Sequence, residues 1–89
     1  MQFPRWKPGL AGLIYLPRER TYAGQRDRPY DIYNVDKEGK CKFLEGYMNC
    51  DPAGKRMEQL AAQAGKTGFG CPIDRRLQSY RANGYLNCD

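Results

Sequence analysis

Four cysteines are the residues of this 89-residue sequence with the most readily interpreted chemistry. The chain has no histidine, and no two cysteines have the short C-x2–4-C spacing that gathers thiolates around zinc. We therefore expect neither a metal site nor a cofactor. We expect two disulfides, formed by Cys41, Cys50, Cys71 and Cys88, and therefore an oxidising compartment. Buried thiols in a cytosolic protein are the alternative.

The pairing of these cysteines depends on how the chain runs between the first two. Proximity in sequence favours Cys41–Cys50 and Cys71–Cys88. The first pair requires a turn at residues 45–46, which would set its two cysteines opposite each other on neighbouring strands. If residues 40–49 form one continuous strand instead, at ~3.3 Å per residue, those cysteines end roughly 30 Å apart and cannot pair.

The composition argues against catalysis. Without histidine, the chain lacks the usual general base near neutral pH and every nucleophile arrangement that depends on one. No spacing singles out a pair of carboxylates, and Asp31, Glu45, Glu58 and Asp74 resemble surface or capping acids. The sequence contains no phosphate-binding loop, dinucleotide fingerprint or EF-hand loop. We therefore expect a binding protein and not an enzyme.

Basic residues are concentrated in the first third of the chain. The net charge is +5, and residues 1–29 hold six arginines and lysines against two acidic residues. The segment from residue 18 to residue 29 reads as a long loop, and such loops are often functional. Tyrosine and arginine dominate the hot spots of interfaces. The candidate partner-binding residues are therefore Arg18, Arg20, Tyr22, Arg26 and Arg28. A solvated loop without a partner is the alternative.

Three functions fit this description. The first is a secreted, effector- or toxin-like protein that binds a protein partner. The second is a protease inhibitor that presents an arginine, although no cysteine lies near residues 17–29 to hold the loop rigid. The third is binding of nucleic acid or an anionic surface, with Trp6, Tyr22 and Tyr30 available for stacking.

In composition the chain is similar to small secreted cysteine-containing proteins of fungi and other microbes that act on hosts or competitors. No motif carries this likeness, so it assigns no residue a role. The sequence has no transmembrane run and no hydrophobic region of a signal peptide. For a secreted protein, we expect that the signal has already been removed.

The elements that must position these residues indicate one α+β domain, residues 1–89. We expect an antiparallel sheet, stabilised by disulfides and packed by one or two short helices. Strands are predicted at residues 10–16, 30–35 and 40–44, with a turn at 36–39 and a last strand at 85–88. Helices are predicted at 52–64, between an Asp51 cap and Gly65, and at 72–82. Arg81 lies off the apolar stripe of the second helix, so we expect it to be exposed. Trp6 is expected in the core.

A hexapeptide occurs twice, as GYMNCD at residues 46–51 and GYLNCD at residues 84–89. Each copy follows an upstream cysteine, Cys41 or Cys71. The repeat predicts two related units, each a strand with a disulfide, packed with pseudo-symmetry.

Overall fold

The computed structural model describes residues 4–18, 28–69 and 75–88, and the backbone alone for residues 75–78. Its elements are β1 (Gly12–Pro17), β2 (Tyr30–Val35), β3 (Cys41–Tyr47), α1 (Cys50–Ala64) and α2 (Arg75–Ala82). The strands form an antiparallel sheet in the order β1-β2-β3, and α1 packs on it. The predicted small α+β domain with a disulfide is confirmed. No helix in the described part of the chain is long and apolar enough to cross a membrane.

The sheet is covered on both faces over β1 and β2. These two strands are almost wholly buried because they are apolar on both sides, as the run of large side chains in each predicts. Toward α1, the sheet and helix share a cluster of Leu13, Tyr15, Tyr30, Ile32, Ala53, Met57 and Ala61. The opposite face packs Ile14, Leu16, Tyr33 and Val35 against Trp6, Phe69 and Leu86. The expectation that Trp6 belongs to the core is confirmed.

Helix α1 follows the predicted pattern closely. Its buried residues recur every four positions, at Ala53, Met57 and Ala61. Gly65 ends it in the left-handed conformation, at φ 64° and ψ 31°. The predicted start is wrong, because the helix begins at Cys50 and Asp51 lies in its first turn. A carboxylate there still favours the helix through its dipole.

The turn between β2 and β3 is confirmed at residues 36–39. The Asp36 carboxylate accepts hydrogen bonds from the main-chain N–H groups of Glu38 and Lys40, at 2.8 and 3.0 Å. Gly39 has φ 85°, and a Cβ there would lie 2.1 Å from the carbonyl oxygen of Tyr85. The position therefore requires glycine for its conformation and for the close approach of the C-terminal segment.

The predicted disulfide pairing is wrong. Strand β3 continues to Tyr47, without the turn at residues 45–46 that a Cys41–Cys50 bond requires. The disulfide joins Cys41 to Cys88, at a Cα–Cα distance of 4.7 Å, which also excludes Cys71–Cys88. Cys50 is buried at the start of α1. Cys71 lies outside the described residues.

The two copies of the hexapeptide do not form equivalent units. The first copy ends β3 and starts α1, whereas the second begins just after the end of α2 and contains Cys88 of the disulfide. Gly84 has φ 82°, which fits its place after a helix. In place of a last strand, the second copy makes one parallel bridge, between Asn87 and Lys40. The pseudo-symmetry prediction is wrong because the flanking helix follows one copy and precedes the other.

Helix α2 covers the C-terminal part of the predicted 72–82 helix, and residues 72–74 lie outside the described part of the chain. Tyr80 packs edge-on against Trp6, with ring centroids 5.6 Å apart. Arg81 was expected to be exposed, but it is buried. Its Nη1 donates to the carbonyl oxygen of Pro17 at 3.0 Å, so the side chain links α2 to the end of β1.

Candidate partner-binding surface

The structure describes two of the five predicted contact residues. Arg18 follows β1 directly, and its main-chain N–H donates to the carbonyl oxygen of Pro29 at 2.9 Å. Arg28 is half-buried, and its Nε and Nη1 atoms are withdrawn from solvent. Arg20, Tyr22 and Arg26 lie outside the described residues. Of the predicted set, the described part of the structure therefore offers Arg18 as the better exposed contact.

A buried carboxylate holds Arg18 in place. The Asp31 side chain is 8% exposed, and the Arg18 side chain is 54% exposed. The guanidinium uses Nη2, at 3.1 Å, and Nε, at 3.3 and 3.4 Å, on the two carboxylate oxygens. This hydrogen-bonded pairing raises the pKa of Arg18. Among the described residues, Nη1 makes no hydrogen bond, so it stays available to a partner.

Tyr33 lies on the other side of the same carboxylate. Its hydroxyl donates to Oδ2 of Asp31 at 3.5 Å. Burial raises the pKa of Tyr33, and the negative charge of Asp31 raises it further. Asp31 was expected to be a surface or capping acid. That expectation is wrong because β2 is the central strand and both of its faces are covered.

Gly46 makes room for this pair. It lies opposite Asp31 in the β2–β3 register. A Cβ at Gly46 would lie 2.8 Å from Nη2 of Arg18, 2.9 Å from Oδ1 of Asp31 and 3.8 Å from Cζ of Phe43. The guanidinium and the Phe43 ring therefore lie on either side of one glycine. They form a single small surface of an arginine beside an aromatic ring.

Three of the five large apolar side chains that are exposed among the described residues lie in β3 or directly after it. Phe43 is 56% exposed, Met48 is 75% exposed and Leu44 is also exposed. The Phe43 ring packs edge-on against Tyr33, with centroids 6.1 Å apart. Together with Arg18 they form what is called here the β3 surface: Arg18, Phe43, Leu44, Gly46 and Met48. Exposed apolar patches of this kind mark interaction sites.

The acidic residue of β3 is already neutralised. Glu45 accepts hydrogen bonds from Nε of Arg56 at 3.0 and 3.3 Å and from the hydroxyl of Tyr47 at 3.0 Å. Partial desolvation and the hydrogen bond to Glu45 raise the pKa of Tyr47. Lys42 is exposed, and it has no ion pair among the described residues. The exposed charge along β3 is therefore positive.

Two of the three residues expected to stack on nucleic acid are buried. Trp6 packs in the core and its indole N–H donates to the carbonyl of Leu10 at 2.9 Å. Tyr30 is completely buried against Tyr15 and α1. The third, Tyr22, lies outside the described residues. The described surface therefore lacks two of the aromatic platforms on which that interpretation depends.

A shallow polar groove lies at the opposite end of the sheet. It has a volume of about 450 Å³, and its polar lining side chains are those of Asn34, Asp36, Lys66 and Thr67. Lys66 donates to Asn34 at 2.8 Å, and Asp36 is used by the turn. Over residues 4–18, 28–69 and 75–88, no three acidic or cysteine side chains converge as a metal site would require.

Sequence reasoning missed Asp31, Phe43 and Gly46. An acid inside the apolar run of residues 30–35 was the available signal, because a carboxylate on a buried strand requires a cationic partner. The exposure of Phe43 had no signal in the sequence, because it depends on β3 lying at the sheet edge.

No protein-family model, curated protein or solved structure matches the chain.

Proposed function

We propose that this protein is a secreted, effector- or toxin-like interaction protein that binds a protein partner through the β3 surface. One observation carries the proposal: an exposed arginine, Arg18, and an exposed aromatic ring, Phe43, both lie beside Gly46. Arginine and aromatic residues are the types enriched in interface hot spots. Arg20, Tyr22, Arg26 and Arg28 follow Arg18 in the sequence, and they are proposed to extend the contact.

The β3 surface is ordered before a partner arrives. The Asp31 carboxylate holds the Arg18 guanidinium by hydrogen bonds, and the Phe43 ring packs edge-on against Tyr33. Immobilising a flexible side chain on binding costs about 0.5–1.5 kcal/mol, and much of that cost is already met here. A surface of this kind supports binding with a modest contact area.

A role without catalysis and outside the reducing cytosol is part of the proposal. A disulfide between Cys41 and Cys88 is compatible with an oxidising compartment. The buried carboxylate Asp31 is committed to Arg18 and Tyr33, so it is not available as a general base. In the described part of the sheet, Asp31 therefore serves to position the side chains of Arg18 and Tyr33.

Affinity capture with matched variants tests the proposal. The oxidised protein, Phe43→Ala and Tyr85→Ala are immobilised in parallel and exposed to proteins of the organism on which it acts. Tyr85 is the control because it is 58% exposed, against 56% for Phe43, and its ring also packs edge-on against one tyrosine. Removal of a central aromatic hot spot weakens binding by roughly tenfold or more.

The expected result is a protein retained by the wild type and by Tyr85→Ala and lost with Phe43→Ala. Its dissociation constant, measured with the purified partner, should rise at least tenfold in Phe43→Ala alone. Equal retention by all three proteins would overturn the assignment of the β3 surface. Retention of nothing by the wild type, at micromolar bait, would overturn the binding function.

A further inference from the structure

The outer edge of β3 is open among the described residues. In the sheet order, β1 and β3 are the two edges. The β1 edge is covered, since Leu13 exchanges main-chain hydrogen bonds with Thr67 and Phe69 at 2.9 and 2.8 Å. On β3, the N–H of Cys41 donates to Asn87 at 3.0 Å. Beyond that bond, no described main-chain group reaches the outer side of residues 42–47.

We propose that β3 accepts an extended, acidic segment of the partner protein as a fourth strand of the sheet. The proposal rests on the proposed function and specifies how its partner is recognised. An exposed strand edge presents unpaired N–H and C=O groups in the pattern that an added strand requires. The parallel bridge from Asn87 to Lys40, directly before β3, already pairs one residue with this edge.

The charges along β3 favour an acidic segment as the occupant of this edge. Glu45 is held by Arg56 and Glu38 by Lys40, at 3.0 and 3.6 Å. Lys42 and the Nη1 side of Arg18 remain for an incoming segment. A second copy of the chain also carries a net charge of +5 and would bring its own Lys42 to the same edge, which disfavours pairing of β3 with itself.

The register of β3 predicts the pattern of the incoming segment. Lys42 and Phe43 point to opposite faces of the sheet, since neighbouring residues of a strand alternate. The segment should therefore place apolar side chains beside Phe43 and acidic side chains beside Lys42. The register shifts between Ile32 and Tyr33, so that Leu44 is an extra residue in β3. Such a bulge bends the strand and limits the length of any added ladder.

Selection from random linear decapeptides, displayed against the oxidised full-length protein, tests this inference. One selected peptide is then synthesised with a single N-methyl group at each position in turn. Within the stretch that pairs with β3, strand addition predicts that methylation lowers affinity at least tenfold at alternate residues and leaves the intervening residues unaffected. Lys42→Glu should weaken the unmodified peptide at least tenfold, whereas Lys55→Glu, an exposed lysine of α1, should not.

The outcomes separate this inference from the proposed function. Peptides that depend on Phe43 but show no two-residue periodicity of methylation would overturn strand addition and leave the β3 surface standing. Peptides indifferent to both Phe43→Ala and Lys42→Glu would overturn both. Failure to select any peptide would overturn the linear mode of recognition. A further outcome is that the protein alone sediments as a dimer and that Lys42→Glu dissociates it. That result would make a second copy the occupant of the edge and would overturn the proposal of an acidic segment.

Discussion

Removal of the Cys41–Cys88 disulfide should cost this domain a large part of its stability. The bond joins residues 47 apart in sequence. Loop-closure entropy for that length corresponds to about 4 kcal/mol at 25 °C. Domains of this size have total unfolding free energies of only about 5–15 kcal/mol. The double variant Cys41→Ala/Cys88→Ala should therefore unfold at a much lower denaturant concentration than the oxidised protein.

Tryptophan fluorescence during urea unfolding measures this difference. Trp6 is the only tryptophan and is buried beside Leu86 and Tyr80, close to the disulfide-linked end of the chain. The double variant should lose about 3–5 kcal/mol of unfolding free energy, and that energy should depend somewhat more steeply on urea, because the unfolded chain without the bond is less compact. A loss below about 1 kcal/mol would refute the reasoning, since the C-terminal segment would then be held by its hydrogen bonds and packing alone.

Two further predictions concern Gly39 and Tyr33. Gly39→Ala should lower the unfolding free energy by more than about 2 kcal/mol, because a Cβ would meet the carbonyl of Tyr85. The control Gly9→Ala, at φ 95° in open space, should lower it by only about 1 kcal/mol. Equal losses of stability in thermal melts would contradict the close approach at Gly39. Burial and Asp31 raise the pKa of Tyr33 in the folded protein, so its contribution is present below pH about 10 and lost as the pH rises further. Unfolding free energies between about pH 9.5 and 11.5 should therefore fall more steeply in the wild type than in Tyr33→Phe, and parallel curves over that range would contradict this assignment.

Local patterns predicted the elements of the fold that depend on local chemistry. The four-residue spacing of apolar residues placed α1, and the glycine after it placed its end. The run of β-branched and aromatic residues placed β2 at Tyr30–Val35. The turn before β3 followed from an aspartate and a glycine able to adopt positive φ. In each case neighbouring residues determine the backbone conformation.

The errors concern contacts between distant parts of the chain. The disulfide pairing depended on whether residues 45–46 turn, and Gly46 is a glycine for a different reason, the close approach of Arg18 and Asp31. Arg81 was expected in solvent because its acceptor, the carbonyl of Pro17, lies 64 residues away. The candidate surface was predicted only at Arg18, because the exposure of Phe43 depends on the order of the strands. Sequence periodicity carries no information about that order.

Hydrogen exchange of the complex tests the central claim most directly. Main-chain amides are followed with the bound partner protein and without it, in the oxidised protein. The account predicts that the partner slows exchange in residues 42–47, with little change in α1 or in residues 84–88. Slower exchange confined to α1 or to residues 84–88, with residues 42–47 unchanged, would contradict a partner-binding surface on β3.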